Sequence, residues 1–183
     1  MNVGILSKHS KLFFRNGCNQ QALFVYETLD NINGITPYII TPEHDTISNV
    51  RITNLENDIN KLFKFKVIIF LSNRLFAENI LKQLKEANII LIDYNCGNIY
   101  YIYSEDLIFD AHKKIKNIDY YKYYDEYWSI PNYKKDKYFY ETVYKTDFKT
   151  APYVWNTTII DKYANINYDI NTAQSQTKYI LIA

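Results

Sequence analysis

Two runs in this chain, Lys66-Val67-Ile68-Ile69-Phe70-Leu71 and Ile89-Ile90-Leu91-Ile92-Asp93, are apolar at successive positions rather than alternate ones. A strand with two apolar faces has to be covered on both, which is the situation of parallel strands enclosed between helices. Between the two runs, Arg74 to Ala87 places Ala77, Ile80, Leu81 and Leu84 on one side, with Glu78 and Lys82 spaced i, i+4, and so predicts an amphipathic helix. The same alternation opens the chain. Asn2 to Ser7 is a short apolar run ending in a polar residue, and Cys18 to Ile32 carries Ala22, Val25, Tyr26, Leu29 and Ile32 at helical spacing. Gly34 is placed for a left-handed helix cap, and Thr36 to Thr41 reads as the next strand before Pro42. Together these segments predict an α/β, Rossmann-like domain, a mostly parallel sheet with helices on both faces.

Further along, the pattern predicts a short helix near Leu55 to Phe63 and a helix from Ser104 to Lys113. A strand is expected at Glu126 to Ile130, a helix from Tyr133 to Lys145 and a strand from Thr150 to Trp155. Residues 165–177 turn polar, dominated by Asn, Asp, Thr, Gln and Ser, as linkers do, and Lys178 to Ala183 is strand-like again. The expected organisation is one domain over residues 1–164, then a polar linker and terminal strand over residues 165–183. That last strand either pairs with the edge of the same sheet or begins a second domain.

With 21 basic against 20 acidic side chains and a net charge of +1, the chain has no long-range field to draw a nucleic acid or an anionic membrane. No window approaches the length of a membrane span, and the opening apolar run is too short for a signal peptide, so a cytoplasmic protein is expected. Cys18 and Cys96 have no partner at metal-finger spacing, which predicts two thiols, no disulfide and no zinc. Asn156-Thr157-Thr158 matches a glycosylation acceptor pattern that a cytoplasmic chain would not use. The excess of Asn, Ile, Lys and Tyr, including 19 tyrosines, is the mark of AT-rich codon usage rather than of a function.

In open α/β sheets ligands bind beyond the carboxyl ends of the strands. After the first strand come Asn16, Gly17, Cys18, Asn19 and Gln20. Gly17 allows a close backbone approach, and the helix starting there offers free N–H groups, with Asn19 and Gln20 as side-chain donors. An ordinary helix cap reads equally well from the same residues. After the strand ending at Asp93 come Tyr94-Asn95-Cys96-Gly97-Asn98, a second polar loop on the same edge. Two such loops converging make a pocket of neutral donors and acceptors that suits a carbohydrate. No Gly-x-Gly and no Gly-Lys-Ser/Thr occurs, which disfavours dinucleotide and Walker-type phosphate loops. No Asp-x-Asp occurs either, so a site that works without a metal or other cofactor is expected.

Cys96 has no recognisable base and reads as an inert thiol; His9, His44 and His112 lie in separate segments and read as surface residues. Asp125 and Glu126 are strand neighbours that point to opposite faces, which argues against a catalytic carboxylate pair. The stretch Tyr120-Tyr121-Lys122-Tyr123-Tyr124, preceded by Lys113, Lys114 and Lys116, mixes base and aromatic as single-strand binders do. At this net charge it reads better as an amphipathic connection.

The order of these segments resembles an uncharacterised glycosyltransferase-like family of bacteria and giant viruses. The resemblance is carried by Asn16-Gly17-Cys18-Asn19-Gln20, Tyr94-Asn95-Cys96-Gly97-Asn98, Asp125-Glu126-Tyr127-Trp128-Ser129-Ile130-Pro131, Tyr140-Glu141-Thr142 and Ala151-Pro152-Tyr153-Val154-Trp155. It implies the N-terminal, acceptor-side domain of a two-domain (GT-B) enzyme, which moves a sugar from a nucleotide-sugar co-substrate to a glycan or protein acceptor. Lys178 to Ala183 would match the first strand of the donor-side half, and the compartment would be the host cytoplasm if the source is viral. Asn16, Gly17, Asn19, Gln20, Asn95, Gly97 and Asn98 would line the substrate cleft, and no catalytic base is identified. The rival expectation is a non-catalytic carbohydrate- or nucleotide-binding module that acts through a partner chain, or as a homodimer joined at its final strand.

Overall fold

The computed structural model describes residues 1–7, 17–42, 46–47, 49–71, 76–95, 122–129, 137, 141 and 147–151, and for residues 17–19 the backbone alone. Seven strands form one sheet: β1 (Asn2–Leu6), β2 (Thr36–Thr41), β3 (Ile52–Asn54), β4 (Val67–Leu71), β5 (Ile90–Asn95), β6 (Glu126–Ser129) and β7 (Asp147–Thr150). Their order is β3-β2-β1-β4-β5-β6-β7 and every pairing is parallel. Helix α1 (Gly17–Asp30) joins β1 to β2, a 3₁₀ helix (Ile59–Lys64) joins β3 to β4, and α2 (Glu78–Glu86) joins β4 to β5. This is the doubly wound, Rossmann-like α/β arrangement. No helix among the described residues is long and apolar enough to cross a membrane.

Strand alternation splits the core into two layers. Val3 and Ile5 of β1, Ile39 of β2, Val67, Ile69 and Leu71 of β4, and Ile92 and Tyr94 of β5 pack with Ala22 to Tyr26 of α1. On the other face, Leu6, Ile40, Ile68, Phe70, Leu91, Tyr127 and Phe148 pack with Leu62 of the 3₁₀ helix and with Leu81 and Leu84 of α2. All five residues of β4 are buried, as its unbroken apolar run requires.

Helices α1 and α2 differ in how they are covered. Helix α2 buries a stripe and leaves Lys82, Gln83 and Glu86 in solvent. Helix α1 is buried at every position from Gln21 to Glu27, about two turns with no solvent face, and Ile47 and Val50 join its cluster. Arg51 fastens this side of the sheet. It ion-pairs with Asp30 at the end of α1, donates Nε–H to the Pro37 carbonyl at 3.1 Å, and gives its backbone N–H to the Tyr26 hydroxyl at 3.1 Å.

Several expectations are corrected. The irregular stretch after Pro42 contains β3, an edge strand only three residues long. Helix α2 starts at Glu78, with Ala77 extended as its cap. The predicted Glu78–Lys82 pair gives way to Glu78–Lys122 at 2.9 Å and Lys82–Glu86 at 3.9 Å. Gly34 is left-handed (φ +84°), but it lies in a turn leading into β2, past the end of α1. Strand β5 runs two residues beyond Asp93, and β7 ends at Thr150, where that strand was expected to begin. The helices predicted at 104–113 and 133–145 lie outside the described residues, apart from helical Lys137 and Glu141, which pair at 3.5 Å. Residues 165–183 lie outside them entirely.

The chain entering β6 is docked onto α2 and β5, as an amphipathic connection would be. Tyr124 is buried edge-on against Phe70, with ring centroids 5.2 Å apart. Asp125 ion-pairs with Lys85 and accepts the Leu91 backbone N–H at 2.8 Å. Glu126 turns the other way and accepts from Trp128 Nε1 at 2.7 Å and from Lys149. The two neighbouring carboxylates thus serve separate structural contacts on opposite faces. On the surface, Glu78 accepts from Lys122 and, at 2.7 Å, from the Tyr123 hydroxyl. The Lys122 ammonium, then the Tyr123 hydroxyl, hold the Glu78 carboxyl below its ordinary range.

Gly4 makes β1 fit. A Cβ there would overlap Ile40 Cδ1 and touch the Phe65 ring at 3.2 Å, and that ring packs edge-on against Tyr38 at 5.6 Å.

Three outcomes follow from these contacts. Gly4→Ala should destabilise the protein by about 1–3 kcal/mol through overpacking, measured by urea denaturation. Asp125→Ala should cost about 1.5–3 kcal/mol, because it removes a hydrogen bond to a charged acceptor and an ion pair, while Glu86→Ala on the exposed pair costs under about 0.5 kcal/mol. The Glu78 contribution is present at neutral pH and is lost as pH falls through its lowered folded value. In a carboxyl-carbon NMR titration, Lys122→Met should move the Glu78 midpoint upward, and an unmoved midpoint would refute the contact.

Candidate site at the carboxyl edge of the sheet

Because β1 leads outward to β2 and β4 leads the opposite way to β5, the winding reverses between β1 and β4. Two crossovers diverge there, and in sheets of this winding ligands bind beyond the strand ends at such a reversal. Helix α1 returns from the carboxyl end of β1 and packs on β1, β2 and β4, so its first residue, Gly17, lies at that edge. Its first turn carries the backbone N–H groups that no helical partner takes up.

Six of the seven described strands end in, or are followed by, a neutral polar residue. Ser7 follows β1, Thr41 ends β2, Asn54 ends β3, Asn95 ends β5, Ser129 ends β6 and Thr150 ends β7. Ser7, Thr41, Asn95 and Ser129 are buried, and they make up more than half of the buried polar side chains among the described residues. Polar groups in such positions stay buried only if they are hydrogen-bonded or reserved for a partner. Thr41 Oγ1 donates to Asn54 Oδ1 at 2.8 Å, and Lys61 Nζ donates to the Asn54 carbonyl at 2.7 Å. The backbone of Ser7 donates to the Ile40 carbonyl at 3.0 Å. Ser129 Oγ is fully buried and has no hydrogen-bond partner among the described residues.

Alternation divides this polar row at the winding reversal. Thr41 follows Ile40 and so shares the α1 face with Ile39, and Ser7 shares it with Ile5. Asn95 follows Tyr94 of the α1 face, while Ser129 and Thr150 lie two residues past Tyr127 and Phe148 of the α2 face, so all three belong to the α2 face.

Of the residues expected to bind substrate, Gly17, Asn19 and Gln20 fall in the first turn of α1, with Gln20 half-buried. Asn95 is the last residue of β5 rather than part of the loop after it, and is 2% exposed. It therefore shares the edge with the start of α1 but stands on the opposite face of the sheet. Asn16, Gly97 and Asn98 lie outside the described residues, as do Cys96, His9, His44 and His112. Sequence reasoning passed over Ser7, Thr41, Asn54, Ser129 and Thr150 as site residues. For Ser7 and Thr41 the available signal was the polar residue closing an apolar run; Asn54, Ser129 and Thr150 close short mixed segments that give none.

Chemically, the edge offers hydroxyls, carboxamides and backbone N–H groups, and the residue closing each of these six strands is uncharged. Such a surface can exchange hydrogen bonds with a hydroxyl-rich neutral molecule. It recognises direction and spacing rather than charge.

Comparison with known proteins gives distant structural similarity and a family. A crystal structure of an AraC family transcriptional regulator from Pseudomonas putida is similar over 82% of this chain and 75% of that chain, at 12% identity and a TM-score of 0.35. No curated protein matches. The family model matches residues 3–177, which take in all of the described sheet except Asn2, and the chain belongs to that family, "Protein of unknown function (DUF2827)".

Proposed function

We propose that this chain is the acceptor-side domain of a metal-independent glycosyltransferase of the two-domain GT-B kind, moving a sugar from a nucleotide-sugar to a glycan or protein acceptor. The observation that carries this reading is the row of neutral polar residues, Asn54, Thr41, Ser7, Asn95, Ser129 and Thr150, along the carboxyl edge on both sides of the winding reversal. A sugar acceptor presents many hydroxyls and no charge, and an edge of amides and hydroxyls beside a helix N-terminus can satisfy them without the desolvation cost of burying ions. The loop-by-loop resemblance to glycosyltransferase-like proteins supports the same choice of ligand. Within this reading, Asn19 and Gln20 in the first turn of α1 orient the acceptor over the α1 face, and the donor is held mainly by a second, facing domain.

The test is ligand-observed NMR of the purified chain against nucleotide-sugars and simple glycans, with Asn19→Ala and Gln20→Ala beside the wild type. A glycan should bind, and each substitution should weaken it by about three- to tenfold, the worth of one neutral hydrogen bond. Incubation with nucleotide-sugar separates an enzyme from a passive module: sugar released or transferred in the presence of the donor-side half indicates catalysis. Binding of no glycan, or binding indifferent to both substitutions, refutes the assignment.

A further inference from the structure

We infer that Ser129, flanked by Asn95 on β5 and Thr150 on β7, is a specificity-determining hydroxyl in a second subsite for a sugar, on the α2 face of the carboxyl edge. The inference rests on the carbohydrate reading above and extends it to the face that α1 does not reach. Asn95, Ser129 and Thr150 are in direct register across three adjacent parallel strands and lie on one face of the sheet. Adjacent strands are spaced about 4.8 Å apart, a step close to the breadth of a pyranose ring. Hydrogen-bonding side chains at that interval match hydroxyls on alternate ring carbons of a sugar better than they match a compact anion.

The side chain of Ser129 gives the row its direction. Its residue is wholly buried and its Oγ has no hydrogen-bond partner among the described residues, whereas Thr150 beside it is exposed. The row therefore has an open end at Thr150 and a covered floor at Ser129. Burying a hydroxyl without a partner destabilises a fold, and a group kept at such a cost at a ligand-binding edge is one whose partner arrives with the ligand. Thr53 Oγ1 is likewise buried without a partner. It lies inside β3, paired in register with Ile40, at the far side of the sheet. Thr53 thus supplies a control of the same chemistry in a place that has no part in the subsite.

The experiment compares wild type, Ser129→Ala, Thr53→Val and Asn19→Ala by thermal unfolding without ligand and by NMR titration with maltose, cellobiose and lactose. Ser129→Ala is expected to raise the ligand-free Tm by about 2–4 °C and to weaken disaccharide binding by about three- to tenfold. Thr53→Val should raise Tm and leave binding unchanged. If Ser129→Ala raises Tm but binding changes only in Asn19→Ala, the subsite is refuted and the carbohydrate reading stands. If none of the disaccharides binds the wild type, the subsite and the carbohydrate reading fail together. A fall in Tm for Ser129→Ala shows a hydroxyl engaged in holding the fold, which also refutes the subsite.

Discussion

The pairing of β1 with β4 constrains everything else in this molecule. Val3 to Leu6 sit in register with Val67 to Phe70, and both strands are apolar on both faces. Their union requires two layers of helices, fixes which strand ends flank the winding reversal, and sends the chain outward in opposite directions. Close contact on the α2 face is possible because position 4 has no side chain, so Ile40 and Phe65 settle against the β1 backbone. Once those strands are joined, every other strand has one available place, and the polar strand ends fall into a line.

That line contrasts with the rest of the chain in the kind of force used. The interior of the sheet is held by apolar contact on two faces, which is tolerant of direction. Its flanks are held by directional polar contacts: Arg51 spans α1, β2 and the entry to β3 on one side, and Asp125 spans α2 and β5 on the other. Between these fixed flanks the carboxyl edge carries hydroxyls and amides, of which Ser7, Thr41, Asn95 and Ser129 are buried and Thr41 is bonded to Asn54.

Most of the fold was legible because continuous apolar runs have few other outcomes. Val67 to Leu71 and Thr36 to Thr41 could be placed closely from their own residues. The failures have physical causes. Ile52-Thr53-Asn54 has too few apolar positions to stand out and becomes a strand only because β2 offers it an edge. Tyr94 and Asn95 looked like loop because they are polar, yet β6 extends the ladder past Asp93 to Ser129. Glu78 found Lys122 from a distant segment instead of Lys82 on its own helix, a tertiary choice no local spacing encodes. Asn19 and Gln20, expected just after the turn that follows β1, do fall in the first turn of α1. The face on which Asn95 stands, and its alignment with Ser129 and Thr150, depend on register between strands that are far apart in sequence.

The position of β1 in the interior of the sheet also sets how the chain can be born. It precedes both neighbours in chain order, and one of them, β4, is not made until Val67. Parallel partners so far apart in sequence close a long loop before any contact rewards it, which makes such folds slow to nucleate. During synthesis the apolar faces of β1, and then of α1, emerge without the strand that completes their enclosure, and for that interval they are a surface that chaperones can hold.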